Sequence, residues 1–170
     1  MKKIFWLAPL LLLLAIQLIR PNMKNPPVDP AQDLQAVANP PAEVMTVLKA
    51  ACYDCHSNET KYPWYSQVAP VSWWVANHIN EGREKLNFST FGALSAKDRS
   101  EAMEESGEQV QKGEMPMESY TWMHPEAKLS PDQRKLLEQW FNANGGEGGE
   151  GGNGAEGTNN EASRENKDDD

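Results

Sequence analysis

Cys52-Tyr53-Asp54-Cys55-His56 contains the only two cysteines in the chain, and everything else arranges itself around these five residues. Immediately upstream, Val44, Val47, Leu48 and Ala51 fall at i, i+3, i+4 and i+7. That is one face of a helix running straight into the first cysteine. Pro40 and Pro41 open it, in keeping with proline at a helix start. Further downstream, Ser130-Pro131-Asp132-Gln133 reads as a capping box with proline at the first helical position. The helix it starts carries an apolar stripe of Leu136, Leu137, Trp140 and Phe141, ending near Asn144.

The spacing Cys-x-x-Cys-His is the attachment signature of haem c. The reason is geometric. Thiols at Cys52 and Cys55, at the end of a helix, can each add to a vinyl group on one porphyrin edge. His56 then places its imidazole beneath the ring, as proximal ligand to iron. Three other readings compete with one covalent haem. A thioredoxin-like redox pair needs a strand–helix–strand setting, and no strand pattern precedes Cys52. A zinc half-site needs a second pair of ligands, and the other histidines are scattered. A plain disulfide leaves the adjacent histidine unexplained.

A six-coordinate iron needs a second axial ligand, for which Met115, Met117, Met123, His78 and His124 are candidates. Met115 is preferred because Gly113-Glu114-Met115-Pro116, shortly before the last helix, resembles the loop that supplies the methionine ligand in class I cytochromes c, where proline commonly follows and restrains the backbone. Met117 is the near alternative. His78 lies on a predicted helical face with Trp74, Val75, Ile79, Gly82 and Leu86. There it reads as a buried hydrogen-bonding residue, or else as the second histidine of a bis-histidine pair. His124, just before Pro125, reads as a structural hydrogen-bonder.

Outside this region the chain has two unlike ends. Residues 1–20 begin with Lys2 and Lys3 and continue as an almost unbroken apolar run from Ile4 to Ile19. This has the shape of an export signal, yet Gln17-Leu18-Ile19-Arg20-Pro21 offers no small-residue cleavage site. The reading is therefore an uncleaved, single-pass anchor in the cytoplasmic membrane. Its length, roughly 24 Å as a helix, is short of a bilayer core of roughly 30 Å. Snorkelling of the flanking cations and bilayer thinning cover the difference. The lysines stay inside and the rest lies on the extracytoplasmic, periplasmic side. Residues 21–41 hold six prolines and read as a semi-rigid spacer.

Residues 145–170 are glycine, acids and asparagine with hardly an apolar side chain, the composition of a disordered tail. The tail accounts for most of the formal net charge of -9. The remaining chain shows no basic face, which excludes a nucleic-acid partner.

With these residues laid out, the chain resembles the bacterial haem-binding-domain family of small membrane-anchored monohaem proteins. The likeness runs from about Ala42 to Phe141. It includes the motif with Ser57-Asn58-Glu59-Thr60, then Tyr62-Pro63-Trp64-Tyr65 and Ala69-Pro70-Val71-Ser72-Trp73-Trp74. It continues through His78, Glu81-Gly82-Arg83, Leu86-Asn87-Phe88-Ser89, Gly113-Glu114-Met115-Pro116, Tyr120 and His124-Pro125-Glu126-Ala127-Lys128-Leu129-Ser130. The resemblance implies an all-α, cytochrome c-like domain over residues 42–144, in which the helix before the motif and the last helix cross near one haem edge. Helices are expected near 42–52, 71–87, 95–112 and 131–143, the third solvent-facing because it is rich in Glu, Lys and Ala. Tyr62, Trp64, Tyr65, Trp73 and Trp74 are expected to wall the haem. The expected function is one-electron transfer with an unidentified redox partner rather than enzyme catalysis. A haem-based sensor with an open sixth site is the alternative. A peroxidase accessory role, with His78 as the distal acid–base group, is the weaker one.

Overall fold

The computed structural model describes residues 4–146, with side chains from Leu7 onward. It is all-helical, and no strand occurs among the described residues. The helices are α1 (Ile4–Ile16), α2 (Leu34–Ala38), α3 (Ala42–Ala51), α4 (Tyr53–His56), α5 (Val71–Lys85), α6 (Ala96–Lys112), α7 (Glu118–Thr121) and α8 (Pro131–Asn144). Tight 3-10 turns at Trp64–Gln67, Phe88–Ala93 and Pro125–Ala127 join them. The tail beyond Gly146, read as disordered, and Lys2 and Lys3 lie outside the described residues.

Local chemistry sets the helix ends. The Ser130 hydroxyl accepts the Gln133 N–H at 3.1 Å while Gln133 Oε1 accepts the Ser130 N–H at 2.9 Å, so the capping box is complete. Ser95 caps α6 by accepting the Asp98 N–H at 3.1 Å. Gly113, at φ 75°, stops that helix in the left-handed region that glycine enters without strain.

One core holds these elements together. Val44 and Leu48 of α3, Met103 and Val110 of α6, and Leu137 and Phe141 of α8 are buried in it with Leu34, Phe88 and Phe91. The helix before the motif and the last helix thus share one apolar centre. Gly107 lets α8 press against α6, because a methyl group there would meet Asn142 Oδ1 at 2.6 Å and Phe141 Cβ at 3.3 Å.

Three expectations are corrected. Helix α6 is not simply solvent-facing: Met103, Gly107 and Val110 form a buried stripe against α8. On α5 the buried residues are Ser72, Ala76 and Ile79, so the inward face is rotated away from Trp74, which is 46 % exposed. Small side chains win that face because α5 must come close to the motif. Residues 21–41 are not a free spacer. Leu34 is fully buried, Asp33 caps α2 and accepts the Tyr53 hydroxyl at 2.8 Å, and the Asn25 amide donates to the Thr60 carbonyl at 2.9 Å.

The apolar N-terminus forms a short helix whose end is bonded to the domain. Helix α1 covers 13 residues, and among the described residues no helix is long and apolar enough to cross a membrane. The helix stops where Gln17 turns to the domain. Its amide donates to the Ala69 carbonyl at 3.0 Å and accepts the Ala69 N–H at 2.9 Å. Beyond it, Trp73 Nε1 donates to the Ile19 carbonyl at 2.8 Å.

Candidate functional site

Helix α3 ends at Ala51, and the chain turns at Cys52 directly into the single turn of α4. That places Cys52, Cys55 and His56 on contiguous turns of backbone, with the Cys55 and His56 N–H groups both donating to the Cys52 carbonyl. Both cysteines are free thiols and half-buried. Burial pushes Cys52 up to about 12. Burial also raises Cys55, to about 11, with the Asp54 carboxylate adding to the effect and Arg83 opposing it.

His56 has a defined tautomer. Its Nδ1 lies 3.1 Å from the Leu86 carbonyl, which can only accept, so the proton sits on Nδ1 and Nε2 keeps its lone pair. Burial lowers the His56 pKa, partly offset by the backbone carbonyls of Leu86 and Gly82, and the neutral imidazole is the favoured form. A neutral imidazole oriented by a backbone carbonyl is what metal ligation requires. Phe88 backs the ring at 6.0 Å between centroids.

The Leu86 carbonyl is itself held in place. Leu86 ends α5 with extended backbone, φ −154° and ψ 126°. The chain beyond it is stitched to the residues after the motif: Asn87 donates to Asn58 at 2.9 Å, and the Asn58 N–H donates to Ser89 at 3.0 Å. Arg83 adds a clamp, donating to the Ser57 carbonyl, the Thr60 hydroxyl and the Asn25 side chain, each at 2.8 Å.

Gly82 permits this closeness. A Cβ there would lie 2.9 Å from the Cys55 carbonyl oxygen, which belongs to backbone and cannot rotate away. Gly82→Ala gains about 1 kcal/mol of helix propensity but forces α5 off the motif, at a cost of about 1–3 kcal/mol. A net loss of stability is therefore expected in urea melts, together with a disturbed His56–Leu86 bond. A variant as stable as the parent would contradict the packing described.

The remaining candidates fall in different places. Met115 and Met117 are half-buried in the turn between α6 and α7, while Met123 is 55 % exposed. His124 has both ring nitrogens engaged, Nε2 accepting the Tyr65 hydroxyl at 2.8 Å and Nδ1 facing Glu126 at 3.1 Å, which makes it a network residue. His78 is half-buried, and its Nδ1 donates to the Trp74 carbonyl at 2.9 Å, leaving Nε2 unengaged by that bond. The aromatic block does not form core: Trp64 is 76 % exposed, and Tyr65 points to His124.

Sequence reasoning missed the Leu86 carbonyl, the role of Gly82, and Tyr120, whose hydroxyl donates to Asp54 at 2.9 Å. A backbone acceptor leaves no mark in a sequence, whereas Gly82 stood out only as one position on a predicted helical face and, like Tyr120, as part of the family resemblance.

The donor set suits haem. Two thiols and an imidazole with a free lone pair stand on adjacent turns. Among the described residues no group of three His, Cys, Asp or Glu side chains is placed to hold a metal ion, so the zinc reading lacks its further ligands. A strand–helix–strand redox motif has no strand among the described residues.

Comparison with known proteins agrees with that chemistry. The sequence model of the family described as a haem-binding domain matches residues 11–143, well over half of the chain. No curated protein and no solved structure matched. The match starts within α1 and stops near the end of α8, so it takes in the whole core together with the motif. The chain belongs to the haem-binding domain family.

Proposed function

We propose that this haem-binding protein carries one covalent haem c and serves as a one-electron carrier on the extracytoplasmic side of a membrane. The observation that carries the reading is the His56 Nδ1–Leu86 carbonyl bond beside two free thiols in Cys-x-x-Cys-His spacing. Cys52 and Cys55 would hold the porphyrin as thioethers and His56 would be the proximal ligand. When bound, the group supplies an iron that cycles between ferrous and ferric. The chain's own part is to fix the imidazole, through Leu86 and the Asn58–Asn87 stitching, and to keep water from its buried side with Phe88. A held imidazole limits rearrangement between redox states, which favours fast electron transfer.

Met115 is the proposed distal ligand, with Met117 and His78 as rivals. A methionine opposite histidine raises the reduction potential relative to two histidines. The test is the absorption spectrum of wild type beside Met115→Ala, Met117→Ala and His78→Ala, made in a host competent in cytochrome maturation. The methionine–iron charge-transfer band should vanish only in Met115→Ala. Its loss only in Met117→Ala would move the assignment, and ready carbon monoxide binding by reduced wild type would favour the sensor reading.

Export and tethering are part of the same proposal, supported by Lys2 and Lys3 ahead of the apolar run. Helix α1, about 20 Å long, would need a locally thinned bilayer. Recovery of the protein in the soluble fraction of osmotically shocked cells would count against the tether.

A further inference from the structure

The hydrogen bonds around residues 113–127 form two pins with a short stretch between them. At the upstream pin, the N–H groups of Glu114 and Met115 both donate to the Gln109 carbonyl, at 3.0 and 3.2 Å. Arg134 secures the same helix end by donating to the Val110 carbonyl at 2.5 Å. At the downstream pin, the Met117 carbonyl accepts the N–H groups of Tyr120 and Thr121, at 3.0 and 3.2 Å. Only Pro116 lies between Met115 and Met117, so the position of α7 dictates where both thioethers can go.

Helix α7 is in turn fixed through Tyr120. Its ring stacks on His124 at 4.3 Å and 15°, and His124 is held by the Tyr65 hydroxyl. Its hydroxyl donates to Asp54 Oδ2 at 2.9 Å. Asp54 does not move freely, because Oδ1 accepts the Lys61 N–H at 3.0 Å and its carbonyl accepts the Thr60 hydroxyl at 2.6 Å. Asp54 is the residue next to Cys55. Among the described residues, Tyr120–Asp54 is the hydrogen bond that ties the methionine-bearing turn to the Cys-x-x-Cys-His motif.

We propose that Tyr120 is a positioning residue whose hydroxyl, bonded to Asp54, latches the methionine turn to the haem motif and so sets the strength of distal ligation. The inference rests on methionine as the distal ligand. It assigns a function to Asp54, a position that the attachment chemistry itself leaves free.

The experiment compares the haem-loaded full chain with Tyr120→Phe, Asp54→Ala and Asp54→Asn. Tyr120→Phe keeps the stacked ring and removes only the hydroxyl. Its intact mass should still include haem. Its ferric methionine charge-transfer band should weaken, with the methionine-off form on the order of tenfold more populated than in wild type. The midpoint potential should fall, and carbon monoxide should bind the ferrous form faster. Asp54→Ala should do the same, while Asp54→Asn, which keeps an oxygen facing the hydroxyl, should restore most of the band. A band and potential in Tyr120→Phe equal to wild type, even with a lower melting temperature, overturns the latch. If wild type itself lacks the band, the methionine assignment fails and takes the latch with it. The two failures are thus distinguishable.

Discussion

Alanine at both Cys52 and Cys55 should strip the covalent cofactor completely: the intact mass of the double variant is expected to equal the bare polypeptide, while wild type carries the added mass of one haem. Each single variant should keep one thioether link and a shifted ferrous spectrum, since one vinyl group remains unreacted. Haem that is extractable by acidified organic solvent from the double variant, but not from wild type, gives the same result by a second route. The structure explains why both thiols are available. They are unpaired, on adjacent turns, and burial keeps them in the protonated form rather than as thiolates prone to oxidation. A wild-type protein of bare polypeptide mass, made where cytochrome maturation operates, would defeat the covalent reading while leaving haem binding in place.

The second large effect concerns the core. Phe141 is 2 % exposed and lies where α8 meets α6, with Trp140 tilted against it at 5.2 Å. Truncation to alanine opens a cavity bounded by Gly107, which has no side chain to fill it. The expected loss is about 3–5 kcal/mol. Against a usual domain stability of about 5–15 kcal/mol, that is enough to leave a measurable unfolded population. Chemical denaturation of haem-free Phe141→Ala would measure it. Trp140→Ala, on a half-buried side chain, should cost less.

These two results differ in how far they could be foreseen. Helices α3, α5 and α8 announced themselves through periodicity and α6 through its Glu, Lys and Ala content, and α8 appeared with its capping box at the expected residues. Cys52, Cys55 and His56 were visible because a short motif encodes its own geometry. What stayed hidden has physical reasons. Helix α2 is only five residues long, inside a proline-rich stretch whose composition reads as extended chain, and its single core residue, Leu34, makes no pattern. Apart from Ile79, the inward face of α5 uses serine, alanine and glycine, which give little apolar signal although they allow the closest approach. Glu and Lys on α6 outnumber the Met103, Gly107 and Val110 stripe and mask it. Tyr120 lies 66 residues from Asp54, and nothing local to either one points at the other.

The bracket that Gln17 makes with Ala69, and the Trp73–Ile19 bond beside it, mean that the N-terminal run is not a detachable handle. A shortened version starting at Pro21 would lose three hydrogen bonds and leave the Ala69–Trp73 corner without its partners. The same bracket sets the direction in which α1 leaves the domain, because the end of that helix is bonded to the Ala69–Trp73 corner from which α5 runs toward the motif.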